Sequence, residues 1–206
     1  MKKELFITAL ALFCFHIIST AQADKGTNLI GGNIYFNNNQ YESSGSGRIG
    51  TFQLKAGHAF TSGVIWGVQG GYLFLKQKNR DGEATSEQSG FSAGVFNRLY
   101  KSLGNDFSLF GESSLGYSSS DLKMPSNSAH TRQNVVGLGF TPGLSYKVLD
   151  WANIELMLPN ILAVSYAKNS TKNNDTSTKT EETFSAKTSL SGSPLNTLGV
   201  GFSVMF

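Results

Sequence analysis

The chain ends in Leu198-Gly199-Val200-Gly201-Phe202-Ser203-Val204-Met205-Phe206, which alternates without a break. Leu198, Val200, Phe202, Val204 and Phe206 share one face, and Gly199, Gly201, Ser203 and Met205 share the other. A period of two over this length reads as a β-strand with one greasy face and one small or polar face.

Working back from the terminus, the same pattern recurs at 28–37, about 49–60, 64–75, about 90–100, 107–117, about 133–148 and about 153–166. No helical period competes, so the mature chain reads as all-β with eight strands. The connections alternate in length. Those at 60–63, 101–106 and 149–152 are short, whereas 38–48, 76–89, 118–132 and 167 to about 190 are long and polar. Successive antiparallel hairpins gather the short turns at one end and the long loops at the other. A transmembrane β-barrel with short periplasmic turns and long outer loops has this asymmetry.

Lys2 and Lys3, the apolar run from Leu5 to Ile18 and the small-residue site Ala21-Gln22-Ala23 have the three parts of a secretory signal peptide. The expected division is residues 1–23 as a cleaved signal peptide and 24–206 as an outer-membrane barrel domain. The single cysteine, Cys14, lies in the removed part, so no disulfide framework and no cysteine-based metal site or nucleophile is expected. After Asp24 no run approaches the roughly 18 apolar residues of a spanning helix, so any membrane crossing falls to strands. The formal charge of +3 is scattered and gives no footprint for nucleic acid.

Alternation alone does not say which face points outward, but closure is required because open sheet edges template aggregation. The polar face is rich in glycine, and each glycine weakens a strand by roughly 0.5–1 kcal/mol. A soluble exterior gains nothing from them. Inside a narrow eight-stranded barrel, whose lumen is just filled by side chains, small residues make room for long ones. Lys55, Arg98, Glu112, Lys147 and Glu155 then point inward as a charge network, with Arg98 and Glu112 paired across one short turn. Trp66, Tyr72, Phe74, Phe91, Tyr117, Tyr146, Trp151 and Tyr166 fall mainly near strand ends, as interfacial girdles require. Two prolines oppose regular strands: Pro142-Gly143 is expected as a bulge or kink, and Pro159 as an early end to the seventh strand's pairing.

The terminal Phe206, Lys55-Ala56-Gly57-His58-Ala59-Phe60, Phe96-Asn97-Arg98-Leu99-Tyr100 and Pro142-Gly143-Leu144-Ser145-Tyr146 carry a resemblance. With these motifs the chain resembles the small eight-stranded outer-membrane β-barrel proteins, OmpA/OmpX-like and often labelled "porin family". It departs from their pattern at His58-Ala59, where Gly-Tyr is commoner, and at Asn97 and Leu99. The resemblance implies a bacterial outer-membrane location, with Phe202, Val204 and Phe206 as the signal presented to the barrel assembly machinery.

The chemistry-bearing residues are few. His58 falls on the apolar face near the short-turn end. His130, with Ser128 and Glu112, could be arranged as a lipid A-modifying esterase triad, although a triad is defined by geometry and not by spacing. No metal-ligand cluster and no cofactor site is found. The tract from Lys168 to Glu182 is polar without an apolar anchor and is expected to be disordered or a mobile ribbon. The functional expectation is a non-enzymatic, monomeric barrel that contacts outer-membrane lipid and supports envelope integrity or surface interaction, with a possible ligand at its outer loops. The alternatives are a narrow porin-like channel for small solutes and, more weakly, the esterase.

Overall fold

The computed structural model describes residues 23–41, 45–125, 129–172, 178–188 and 198–206. These form strands β1 (Asn28–Tyr41), β2 (Gly45–Thr61), β3 (Val64–Lys78), β4 (Ala84–Gly104), β5 (Phe107–Met124), β6 (Ala129–Leu149), β7 (Ala152–Met157), β8 (Leu162–Lys172), β9 (Thr178–Thr188) and β10 (Gly199–Met205). Every neighbouring pair is antiparallel. The expected signal peptide lies outside the described residues except for Ala23, which is buried and accepts a hydrogen bond from Gly63 N at 2.8 Å.

At the short-turn end the pairing closes on itself. β1 through β6 pair in chain order, β6 pairs β7, β7 pairs β10 and β10 returns to β1. That ring has eight members, as the sequence pattern implies, although ten separate strands supply the wall. One tight turn of the ring has positive φ at Asn105 (47°) and Asp106 (68°). Primed hairpin turns need this handedness, and Asn and Asp tolerate it.

The difference from the expected count lies at one place in the wall. The seventh strand is broken into β7 and β8 around Pro159, with Asn160 at φ 50°. On the facing strand, β6 pairs β8 up to Phe140 and β7 from Gly143 onward. Pro142 therefore falls where its neighbour is interrupted, and the amide hydrogen it lacks has no ladder bond to make on that side. Its carbonyl still accepts from Leu158 N at 3.0 Å, and Asn160 N donates to Thr141 Oγ1 at 3.0 Å. The two prolines share a single defect, which explains both.

The long loops are a second correction. Most of each expected loop is strand. β3 runs to Lys78 and β4 starts at Ala84, β5 runs to Met124 and β6 starts at Ala129, and the tract expected to be disordered supplies the end of β8 and the start of β9. The apolar alternation stops where the lipid stops, but the backbone ladder continues. It is sustained by cross-strand polar pairs such as Thr131 with Thr171 (2.9 Å) and Gln133 with Asn169 (3.0 Å).

The distribution of polarity is the reverse of a soluble domain's. Leu138, Val200 and Phe202 are 58%, 56% and 46% exposed, whereas Arg98 and Glu155 are 0% and 2% exposed. The apolar face points outward and the charges point inward. On β3, Trp66 to Phe74 supplies the about 9–11 residues that a tilted strand needs to cross a membrane. Gly67 and Gly143 make room for inward rings: a Cβ at either position would collide with Phe96 or Phe110.

Candidate functional site: a plugged lumen

The candidate site is built from inward positions on five strands. β4 supplies Arg98 and Tyr100, β5 supplies Phe110 and Glu112, β2 Lys55, β7 Asn153 and Glu155, and β10 Ser203. Arg98 and Glu112 are direct cross-strand partners. Their shared face follows from the register, in which the irregularity between Ser102 and Gly104 takes up one extra residue on β4 and leaves both side chains inward.

Arg98 is the hub. Its Nε donates to Glu112 Oε2 at 2.8 Å, and its Nη1 donates to Glu155 Oε1 at 2.6 Å and to Tyr100 Oη at 2.8 Å. Nη2 lies 2.7 Å from Glu112 Oε2 but off the axis of a hydrogen bond. Lys55 Nζ donates to both oxygens of Glu112 at 2.7 and 2.8 Å. Ser203 Oγ donates to Glu155 at 2.6 Å. The guanidinium stands 4.2 Å from the Phe110 ring centroid, and Lys55 Nζ is 5.4 Å from that of Phe96.

Lys55, Arg98, Glu112 and Glu155 are all buried, and two positive groups face two negative ones. An unpaired charge taken out of water costs several kcal/mol, so opposite charges inside a narrow lumen are most stable in mutual contact. Ile65, Phe96, Phe110 and Met157 fill the space around them. A charge-neutral network set in apolar packing therefore crosses the lumen at this level.

Four of the five charges expected to face the lumen come together here. Lys147 does not: its Nζ lies 3.4 Å from both Asp106 and Asp150 at the short-turn end, partly exposed. The turn residues at this end intercept it before it can join the network. Tyr100, Asn153 and Ser203 complete the site; the sequence places Ser203 on the lumen face without joining it to the charges, and for Tyr100 and Asn153 the inward register is the available signal.

Above the plug the lumen changes character. A cavity of about 250 Å³ is lined by inward residues including Gln53, Gln69, Ser92, Ser114, Ser118 and Ser165, with no charged residue among its lining. Gln69 Oε1 is buried there without a hydrogen-bond partner among the described residues.

The histidines take no part. His58 Nδ1 is 2.9 Å from Asn28 Oδ1, and its ring meets Phe60 edge-on at 5.0 Å. His130 lies on the outer part of β6, 3.8 Å from Asp121. Glu112 pairs with Thr141 and Lys123 with His130, so Glu112 and His130 are separated by roughly 36 Å of strand. They do not form a triad, and Ser128 lies outside the described residues. Among the described residues no group of His, Cys, Asp and Glu could hold a metal ion.

The chain matches the outer membrane protein beta-barrel domain family over residues 7–206. It belongs to that family. Its location is accordingly the bacterial outer membrane. Among solved structures the barrel is similar to the outer membrane protein OprG from Pseudomonas aeruginosa, with TM-score 0.53 and 14% identity over 90% of this chain and 99% of that one. It is also similar to Neisserial surface protein A, with TM-score 0.45 and 14% identity over 87% and 96%. At this identity the OprG likeness speaks to fold alone. No curated protein matches the chain.

Tyr72, Phe74, Phe91, Tyr117, Tyr166 and Phe184 are exposed. Beyond them the strand faces turn polar. Arg132 donates to Asp121 at 3.0 Å and holds that carboxyl below its usual range.

Proposed function

We propose that this member of the family is a non-conducting, non-enzymatic barrel that works through its outer surface. The plugged lumen serves as a rigid frame, and the strand hairpins beyond the membrane form the contact surface that supports envelope integrity or surface interaction. The observation that carries this reading is the Arg98 network, which joins strands across the lumen through paired charges and rings. The missing triad geometry around His130 supports a non-enzymatic role. The barrel inserts as a monomer in this reading, with Phe202, Val204 and Phe206 on the terminal strand presented to the assembly machinery.

Planar-bilayer recording from the purified full chain tests the proposal. The expected result is a silent membrane. Steady single-channel conductance, abolished by blocking the lumen, would replace this reading with that of a narrow pore for small solutes. An altered lipid A profile on deletion of the protein would instead favour the esterase.

A further inference from the structure

On the outward face of β2 and β3 the register stacks Leu54 beside Gly70, Phe52 beside Tyr72, Gly50 beside Phe74, Arg48 beside Lys76 and Ser46 beside Lys78. The Phe74 ring covers Gly50. Two residues further, roughly 7 Å along the strand, the same lipid-facing column turns cationic. Between the hydrocarbon edge and bulk water lies a headgroup layer about 5–8 Å deep on each side. A side chain that points outward from the wall at this height faces headgroups, neither the lumen nor open solvent.

Ser46, Arg48, Lys76 and Lys78 enclose a concavity of about 360 Å³ on this surface. Lys76 is partly neutralised by Glu87 at 2.5 Å across the β3–β4 pair. Arg48 and Lys78 meet no carboxylate among the described residues. Elsewhere on the rim Asp121 holds Arg132, and Glu182 faces Lys168 at 4.0 Å. Three cations and a hydroxyl converging on one hollow, two of the cations without a carboxylate among the described residues, match a phosphomonoester with its several oxygens and negative charge.

We propose that Arg48, Lys76 and Lys78, with Ser46, form a site for the phosphate of an outer-leaflet lipid headgroup. The column of Leu54, Phe52, Tyr72 and Phe74 directly below would carry the acyl chains of the same molecule. Binding then combines charge and apolar contact, so a lipid phosphate is held where free phosphate is not.

The test uses the full chain, folded in neutral detergent and verified by its heat-dependent gel migration. It is titrated with diphosphoryl lipid A, with bound lipid read by native mass spectrometry. Each cation near an anionic surface contributes on the order of fivefold in affinity. Lys78→Gln is expected to weaken binding about fivefold, and Arg48→Gln/Lys76→Gln/Lys78→Gln about a hundredfold. Glu87→Gln removes the competing carboxylate and is expected to tighten binding severalfold. A merely structural role for these side chains predicts no such gain. Lys179→Gln, on the β9 hairpin, removes one positive charge elsewhere and is expected to leave affinity unchanged. The proposal fails if the triple variant binds like wild type, if dephosphorylated lipid A binds equally well, or if millimolar inorganic phosphate displaces the lipid. It also fails if heparin is held through the same residues more tightly than the lipid, which would mark a soluble polyanion site.

Discussion

At the level of Arg98 the lumen is filled by side chains that pair charge with charge, whereas at the level of Gln69 it is an uncharged cup lined by serines and glutamines. The same strands build both levels. In the lower half the pairing ring is closed through β10, and the inward residues are long, so their ends meet at the axis. In the upper half β6 turns to β8 and β9, and the inward residues are uncharged, with serines and glycines among them leaving space. Paired charge and packing are thus concentrated near the periplasm, and room near the outside. A barrel that presents an outer surface gains from this arrangement, because the plug anchors strands whose outer ends stand free of lipid support.

The contrast breaks most directly at its hub. Arg98→Met removes the partner of two buried carboxylates and is expected to destabilise the barrel by about 3–5 kcal/mol, read from urea unfolding in lipid vesicles. The matching change in the cup, Ser92→Ala, is expected to be nearly silent. Comparable losses at the two sites would mean that the plug is not the source of rigidity.

A smaller effect separates the two faces of one strand. Val200→Arg and Phe202→Arg put a charge into lipid and are expected to cost about 2–4 kcal/mol near the midplane. Ser203→Arg points inward and is expected to act by crowding the hydrogen bond to Glu155. Wild-type folding yield for both lipid-face variants would reverse the inside and outside of the wall.

The boundary between the halves is probed by Pro142→Ala. Its restored amide hydrogen faces the interrupted neighbour, so stability is expected to change by no more than about 1 kcal/mol. A large loss would show that the ring rigidity of proline itself holds the break open.

The smallest effect belongs to the hairpins. The Asp121 carboxyl is held below its ordinary value by the hydrogen bond from Arg132. Its contribution is therefore complete above the ordinary carboxylate range and is lost as pH falls through the lowered value. Amide exchange along 118–124 and 129–134 is expected to quicken in acid while the segments around Arg98 and Glu112 stay protected. Parallel quickening of both would tie the outer hairpin to the plug.

The alternation of residues such as Val200, Phe202 and Val204 settled the strand class, and the alternation of connection lengths settled the handling of the two ends, because both are local properties written in period and composition. Arg98 and Glu112 were legible as partners for the same reason: a short turn fixes their register. Other features required the closed wall. Glu155 reaches Arg98 only because β7 is brought across the lumen, and Lys147 is lost to Asp106 and Asp150 by a matter of height along the axis. The strand character of 168–172 and 178–182 has no sequence signal because a ladder in water needs no apolar face, and its cross-strand partners are named only by register. Pro142 and Pro159 lie 17 residues apart in the chain, and they share one defect because β6 lies beside the break between β7 and β8. Sequence determined which residues share a face, through the two-residue period of an extended chain, and its glycines and charges said which face turns inward; tertiary structure decided which of the inward residues meet, since contact across a lumen depends on closure and stagger that no local pattern encodes.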